Sequence, residues 1–180
     1  MQPAFADPPT DSARAFRAIM QAMARPGTVH EVAAPAPEGL SPAAAATLLV
    51  LADQTTPVWL AHGHDWLVFH TGAPVAATRA EAAFAVGPWD ALAPLGDWPV
   101  GTPDYPDRST TLIVEVPRLD GSGTRLTGPG IETESRLPLP DARALAANAA
   151  LYPLGVDLIL SCGDRLAALP RSTRIHPEDA

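Results

Sequence analysis

Not one lysine occurs in this 180-residue chain: all 12 of its basic residues other than histidine are arginines. The absence excludes a Schiff base with an aldehyde cofactor, and it excludes the lysine of a phosphate-binding P-loop. Any phosphate or phosphonate recognition by a side-chain cation must use arginine, whose planar fork can hold two oxyanion oxygens at once. Cysteine is nearly missing as well. A single Cys162 leaves no internal disulfide and no thiolate metal cluster. No apolar run reaches membrane-spanning length, and Met1-Gln2-Pro3-Ala4-Phe5 lacks the basic start and long apolar stretch of a secretory signal. A cytoplasmic protein without membrane association is expected.

A formal net charge of −8 argues against a general binder of nucleic-acid backbones. What the chain does have is apolar content. Hydrophobic residues make up 47% of it, enough at this length for one compact domain over residues 1–180, with a real core and short flexible ends. The 21 prolines imply many short connections.

Pro8-Pro9-Thr10-Asp11-Ser12 predicts a helix start capped by Thr10, Asp11 or Ser12. Phe16, Ile19, Met20 and Met23 follow at helical spacing and are expected as core anchors, an intersubunit face being the alternative. Pro26-Gly27 stops the helix after Arg25, and 28–32 is a short strand. Ser41 caps an apolar helix over 43–52, with Pro42 at a position where its missing N–H costs nothing. Val58-Trp59-Leu60 and Trp66-Leu67-Val68-Phe69-His70 are expected to pair as a hairpin around 61–65. Residues 83–86 form a strand and 89–92 a helical turn. From 94 to 108, a stretch broken by Pro99, Pro103 and Pro106, the chain reads as a long surface connection.

Residues 110–116 alternate as the strongest internal strand, Leu112, Val114 and Val116 opposing Thr111, Ile113 and Glu115. Residues 124–127 are expected to return as its partner, and 131–135 form another extended segment. Pro140-Asp141 opens an alanine-rich helix to about Leu151. The chain closes on a hairpin whose apolar arms are joined by Cys162-Gly163-Asp164. Val156, Leu158 and Leu160 face its core side; Asp157, Ile159 and Ser161 share a second face expected to be half covered. Helices alternating with hairpins predict an α/β domain with a mixed β-sheet.

Chemistry is harder to find. His62-Gly63-His64, with Asp65 and His70 nearby, is the best metal candidate, yet it sits in an expected turn without an HExxH helix. Asp104 and Asp107 beside Arg108 could serve acid–base or divalent-cation chemistry, but solvated loop charges are commoner. Thr127-Gly128-Pro129-Gly130 lacks GxGxxG spacing, and Pro129 removes a donor, so turn geometry is the better reading. Cys162 has no evident activating neighbour and is expected to be structural. Arg171 and Arg174 could bind phosphate, although a solvated tail fits them better. No residue is assigned to catalysis, to a cofactor or to a metal.

Several segments, taken in order, resemble the PhnH family of the bacterial carbon–phosphorus lyase system. They are residues 15–27 (AFRAIMQAMARPG), 48–60 (LLVLADQTTPVWL), 69–74 (FHTGAP), 126–131 (LTGPGI) and 153–160 (PLGVDLIL) running on to Leu169-Pro170-Arg171. The resemblance spans nearly the whole chain, apart from the proline-rich middle and the His62/His64 pair. It implies a three-layer α/β/α sandwich like the main domain of pyridoxal-phosphate-dependent transferases, without that cofactor. The missing lysine agrees independently, because an internal aldimine needs one.

The resemblance further implies a homodimer in isolation and association with PhnG, PhnI and PhnJ subunits in a core complex. That complex converts MgATP and an alkylphosphonate into a ribose 1-alkylphosphonate 5-triphosphate with release of adenine. An accessory or structural subunit, with no cofactor in this chain, is the expectation. The alternatives are a stand-alone phosphonate- or nucleotide-binding protein or enzyme using Arg108, Arg125 or Arg171, and a small-molecule module with 94–108 as its lid.

Overall fold

The structure, a computed structural model, describes residues 4–60, 64–120 and 122–177. Pro8 and Pro9 open α1 (Pro8–Ala24), where proline forfeits no hydrogen bond. The helix thus starts ahead of the expected caps: Asp7 precedes it and donates its N–H to Asp11 Oδ2 at 2.9 Å. Of the strand expected over 28–32 only β1 (His30–Glu31) forms. α2 (Pro42–Leu51) begins as expected, Ser41 Oγ accepting from Ala44 N at 3.2 Å. β2 (Val58–Leu60) follows.

The hairpin expected after β2 is replaced by a helix, α3 (His64–Thr71). Trp66 and Leu67 are buried while Val68 and Phe69 face solvent, a two-in, two-out pattern that a short apolar run does not betray. Most of the proposed turn, residues 61–63, lies outside the described residues. β3 (Phe84–Pro88) runs straight into α4 (Trp89–Leu92). The 94–108 connection then crosses the surface but anchors Trp98 in the core at 3% exposure. After β4 (Thr111–Glu115), β5 (Thr124–Thr127), β6 (Ser135–Leu137) and α5 (Ala142–Ala149), the chain ends in β7 (Asp157–Cys162), β8 (Arg165–Leu169) and β9 (Arg174–His176). The extended segment expected at 131–135 thus falls on Ser135–Leu137 instead.

The main sheet has the order β1-β8-β7-β4-β3-β2. β2, β3, β4 and β7 run parallel, whereas β8 and β1 are antiparallel to their neighbours. This is the expected α/β architecture with a mixed sheet. β5 does not return beside β4, because β3 and β7 already occupy both edges of that strand. It pairs instead with β6 and β9 in a separate antiparallel sheet.

Strand alternation divides the core. Val86, Ile113, Ile159 and Ala168 pack against α1, α2 and α3. Ala85, Leu112, Val114, Leu158, Leu160 and Ala167 pack on the other side with Leu145 of α5 and with Leu126 and Leu137 of the small sheet. The closing hairpin forms in the expected register, Ile159 opposite Ala168. Its second face is more covered than the expected half: Ile159 and Ser161 are 1% and 0% exposed, and Asp157 at the strand's start is partly buried. The cover is α2, buried from Ala43 through Leu48, and a helix apolar all round needs neighbours on every side.

α1 is rotated from its expected orientation. Ala15, Ile19 and Ala22 are buried, Met23 is half-buried, and Phe16 and Met20 are each 51% exposed. Ala15, Ile19 and Ala22 form an i, i+4, i+7 stripe that faces α2 and β8.

Candidate functional site

In open α/β sheets, ligands bind beyond the carboxyl ends of the parallel strands. Here that end is occupied by the protein's own groups. Glu115, the last residue of β4, accepts the Ser41 N–H at 2.6 Å, and Ser41 Oγ donates to Ser161 Oγ at 3.2 Å. The Glu115 carboxylate therefore sits at the positive end of α2. Ala43 N, in the first turn of α2, donates to Gly163 O of the hairpin turn at 2.9 Å.

Several arginines, the candidates Arg171 and Arg108 among them, likewise have partners within the protein. Arg171 joins three segments: its Nε and backbone N donate to Asp157 Oδ1 at 3.1 and 2.8 Å, and its Nη2 to Asp157 Oδ2 at 2.5 Å. Its remaining donors reach Pro106 O at 2.6 Å and Ser109 Oγ. Arg79 donates to Asp97 at 2.8 Å and to the carbonyls of Ala91 and Ala93 at 2.8 and 3.3 Å, with its guanidinium 5.0 Å from the Trp98 ring centroid. Arg108 lies 3.9 Å over the Tyr105 ring. Arg165 donates to Asp120 at 3.3 Å, and that hydrogen bond, followed by the carboxylate's charge, raises its pKa.

The remaining sequence candidates do not converge. His62 lies outside the described residues, as does the side chain of His64, whose backbone starts α3. Asp65 is exposed, and the His70 ring sits 5.0 Å from those of Trp66 and Phe69. Asp104 and Asp107 are both exposed on their loop. Among the described residues, no group of three or more His, Cys, Asp and Glu side chains could hold a metal ion. Cys162 Sγ donates to Pro117 O at 3.4 Å. Gly130, at φ +79°, closes a turn against α1, and a Cβ there would stand 2.0 Å from Ala24 O.

A feature that sequence reasoning did not assemble is the outer face of the small sheet. Leu126, Leu137 and Ile175 point inward with the core. Strand alternation turns Arg125, Arg136, Arg174, Thr127 and His176 outward. Arg125 stands directly opposite Arg136 on one side and His176 on the other, and Thr127 stands opposite Arg174. Arg136 also lines a cleft of about 300 Å3 with Arg118, Thr124, Pro138 and Leu139. Strand register creates this row: Arg125 and Arg136 are 11 positions apart and His176 lies 51 beyond Arg125, and only the pairing sets them side by side.

A family model described as bacterial phosphonate metabolism protein (PhnH) matches residues 3–176. The chain belongs to the PhnH family. One relative, the alpha-D-ribose 1-methylphosphonate 5-triphosphate synthase subunit PhnH of Rhizobium meliloti (strain 1021), is 40% identical over 190 residues, covering 97% of this chain and 95% of that protein. Another, the putative C-P lyase subunit protein HtxG of Stutzerimonas stutzeri, is 37% identical over 87 residues, 45% of each chain. The PhnH match runs from before α1 to the end of β9. Two of the segments that suggested PhnH are packing junctions: 126–131 turns against Ala24, and 169–171 carries the Arg171 clamp.

Proposed function

We propose that this chain is an accessory, structural subunit of a PhnH-type assembly that makes a ribose 1-alkylphosphonate 5-triphosphate in phosphonate catabolism. The observation that carries the reading is 40% identity across 97% of the chain to a subunit of alpha-D-ribose 1-methylphosphonate 5-triphosphate synthase. MgATP and the alkylphosphonate are substrates of the whole assembly, which releases adenine. The partners are PhnG, PhnI and PhnJ subunits, and the isolated chain is a cytoplasmic homodimer of one domain.

Two structural features support a role exercised through partners. At the carboxyl ends of β4 and β7, Glu115 and Ser161 are both engaged by Ser41, through its N–H and its hydroxyl. Large apolar side chains are also left in water: Phe16 and Met20 on α1, Phe69 on α3, and Tyr152 after α5, between 51% and 66% exposed. Such groups on a folded surface fit protein contacts. The mixed sheet with helices packed on it is also compatible with the proposed likeness to the main domain of pyridoxal-phosphate-dependent transferases. With no lysine in the sequence, no residue could form that cofactor's internal aldimine.

Co-expression with PhnG, PhnI and PhnJ subunits tests the proposal. A stable assembly containing this chain is expected; failure to co-purify where the other three assemble would reject it.

A further inference from the structure

Like charges placed directly opposite on neighbouring strands repel, and a sheet carrying them is destabilised unless a counter-charge lies between them. The outer face of the β6-β5-β9 sheet has this arrangement. Arg125 faces Arg136 across one strand pair and His176 across the other, and Arg174 stands one row along, opposite Thr127. Glu134 offsets part of the charge, its Oε1 lying 3.7 Å from Arg136 Nη2. Neither Arg125 nor Arg174 has a hydrogen-bond or ion-pair partner for its guanidinium among the described residues. Thr127 Oγ1 lies 2.8 Å from His176 Nε2, which fixes the imidazole beside Arg125.

This concentration of cations stands out on a protein of net charge −8. Arg125 and Arg174 also contrast with Arg79, Arg165 and Arg171, each paired with a carboxylate. We propose that the outer face of the β6-β5-β9 sheet binds a multiply charged phosphate anion, a chain of linked phosphates, through Arg125, Arg174 and Arg136. Three strands at about 4.8 Å spacing set the row of Arg136, Arg125 and His176 roughly 10 Å across, wider than one phosphate group and suited to several. Guanidinium groups grip phosphate oxygens two at a time, and the Thr127 hydroxyl adds a neutral hydrogen-bonding group. Arg136 extends the row into the cleft it shares with Arg118 and Thr124. The inference rests on this geometry alone and does not depend on the family reading.

The linked phosphates could belong to inorganic tripolyphosphate or to a nucleoside triphosphate. Calorimetric titration of the full chain with millimolar tripolyphosphate, ATP, orthophosphate and adenosine, at about 0.15 M ionic strength where diffuse attraction is screened, separates these sources. Tripolyphosphate is expected to bind and adenosine not to bind, with orthophosphate at least about tenfold weaker. Equal affinity for ATP and tripolyphosphate identifies the phosphate chain as the whole ligand; tighter ATP binding identifies a nucleotide. Arg125→Gln and Arg174→Gln should each weaken tripolyphosphate binding about tenfold, the loss of one charge-assisted contact. Arg17→Gln, at an exposed position on α1, should change it less than twofold. In the absence of ligand, Arg125→Gln should unfold at the same or a higher temperature, since it relieves repulsion, so lost binding cannot be ascribed to misfolding. No tripolyphosphate binding, or an equal loss in Arg17→Gln, overturns the proposal.

Discussion

Arg171 closes on Asp157 across the open end of the final hairpin, its Nε and backbone N both bonded to the same carboxylate oxygen at 3.1 and 2.8 Å. The pair ties the end of β8 to the start of β7, and through Pro106 and Ser109 it secures the proline-rich connection. The two side chains are only 13% and 17% exposed.

Removing one partner should therefore leave a charge short of both water and counter-ion. Arg171→Ala is expected to destabilise the fold by about 3 kcal/mol, measured by urea unfolding. Arg171→Lys should recover only part of this, because an ammonium cannot reproduce the fork. A loss below about 0.5 kcal/mol would show that the clamp is a surface ion pair in its energetics.

Arg79 makes the second prediction. It bridges Asp97 to two carbonyls near α4 and stacks on Trp98. Arg79→Ala should cost about 2 kcal/mol through two carbonyls left without a donor and a bared ring. Calorimetric unfolding, compared with Arg17→Ala as a surface control, measures the difference.

Helix α1 separates core from surface along one element. Ile19→Ala should cost about 3 kcal/mol, whereas Phe16→Ser and Met20→Ser should stay within about 0.5 kcal/mol of the parent. If the serine variants unfold as readily as Ile19→Ala, the placement of this helix is wrong. If they fold normally but no longer co-purify with the proposed partners, the exposed face is a contact surface.

Two glycines test backbone geometry. Gly130 has φ +79° and no room for a Cβ, while Gly163 in the hairpin turn has φ +60° with nothing within 4 Å. Gly163→Ala should cost about 1 kcal/mol, the left-handed penalty alone. Gly130→Ala should cost at least about 2 kcal/mol, because it adds a collision with Ala24 O. Equal effects at the two sites would contradict the packing of the 127–130 turn on α1.

Asp53 gives a pH-dependent prediction. Its pKa is lowered, first by the hydrogen bond from the Thr55 hydroxyl and then by the Thr55 N–H. A carboxylate depressed in the folded state stabilises the fold above its unfolded pKa, and that contribution fades as pH falls through the folded value. Thr55→Ala should raise the Asp53 pKa, read by carbon NMR of the carboxyl between pH 2 and 6. An unchanged titration would mean the Thr55 hydroxyl bond does not form.

The parts of the fold legible in sequence were those governed by local rules. Gly163 between two alternating arms announced the final hairpin, and Ser41-Pro42 announced α2. The burial of Ile159 and Ser161 was missed, although its cause was present in Pro42–Leu51, a helix with no polar face to give to water. Trp66 to Phe69 does not reveal its helix, because four apolar residues carry no period. What needed the third dimension was register. Arg125, Arg136 and His176 are scattered in the chain and adjacent in the sheet, and only the fold sets Asp157 beside Arg171, 14 positions away. Family membership, by contrast, was readable from ordered segments without any of this geometry.

The central claim is that the chain is a necessary non-catalytic subunit of a phosphonate-handling assembly. Adenine release from MgATP and methylphosphonate, measured with PhnG, PhnI and PhnJ subunits in the presence and absence of this chain, addresses it most directly. Release should occur in the complete mixture, fall to background when the chain is omitted, and be absent with the chain alone. Undiminished release without the chain, or release by the chain on its own, would contradict the claim.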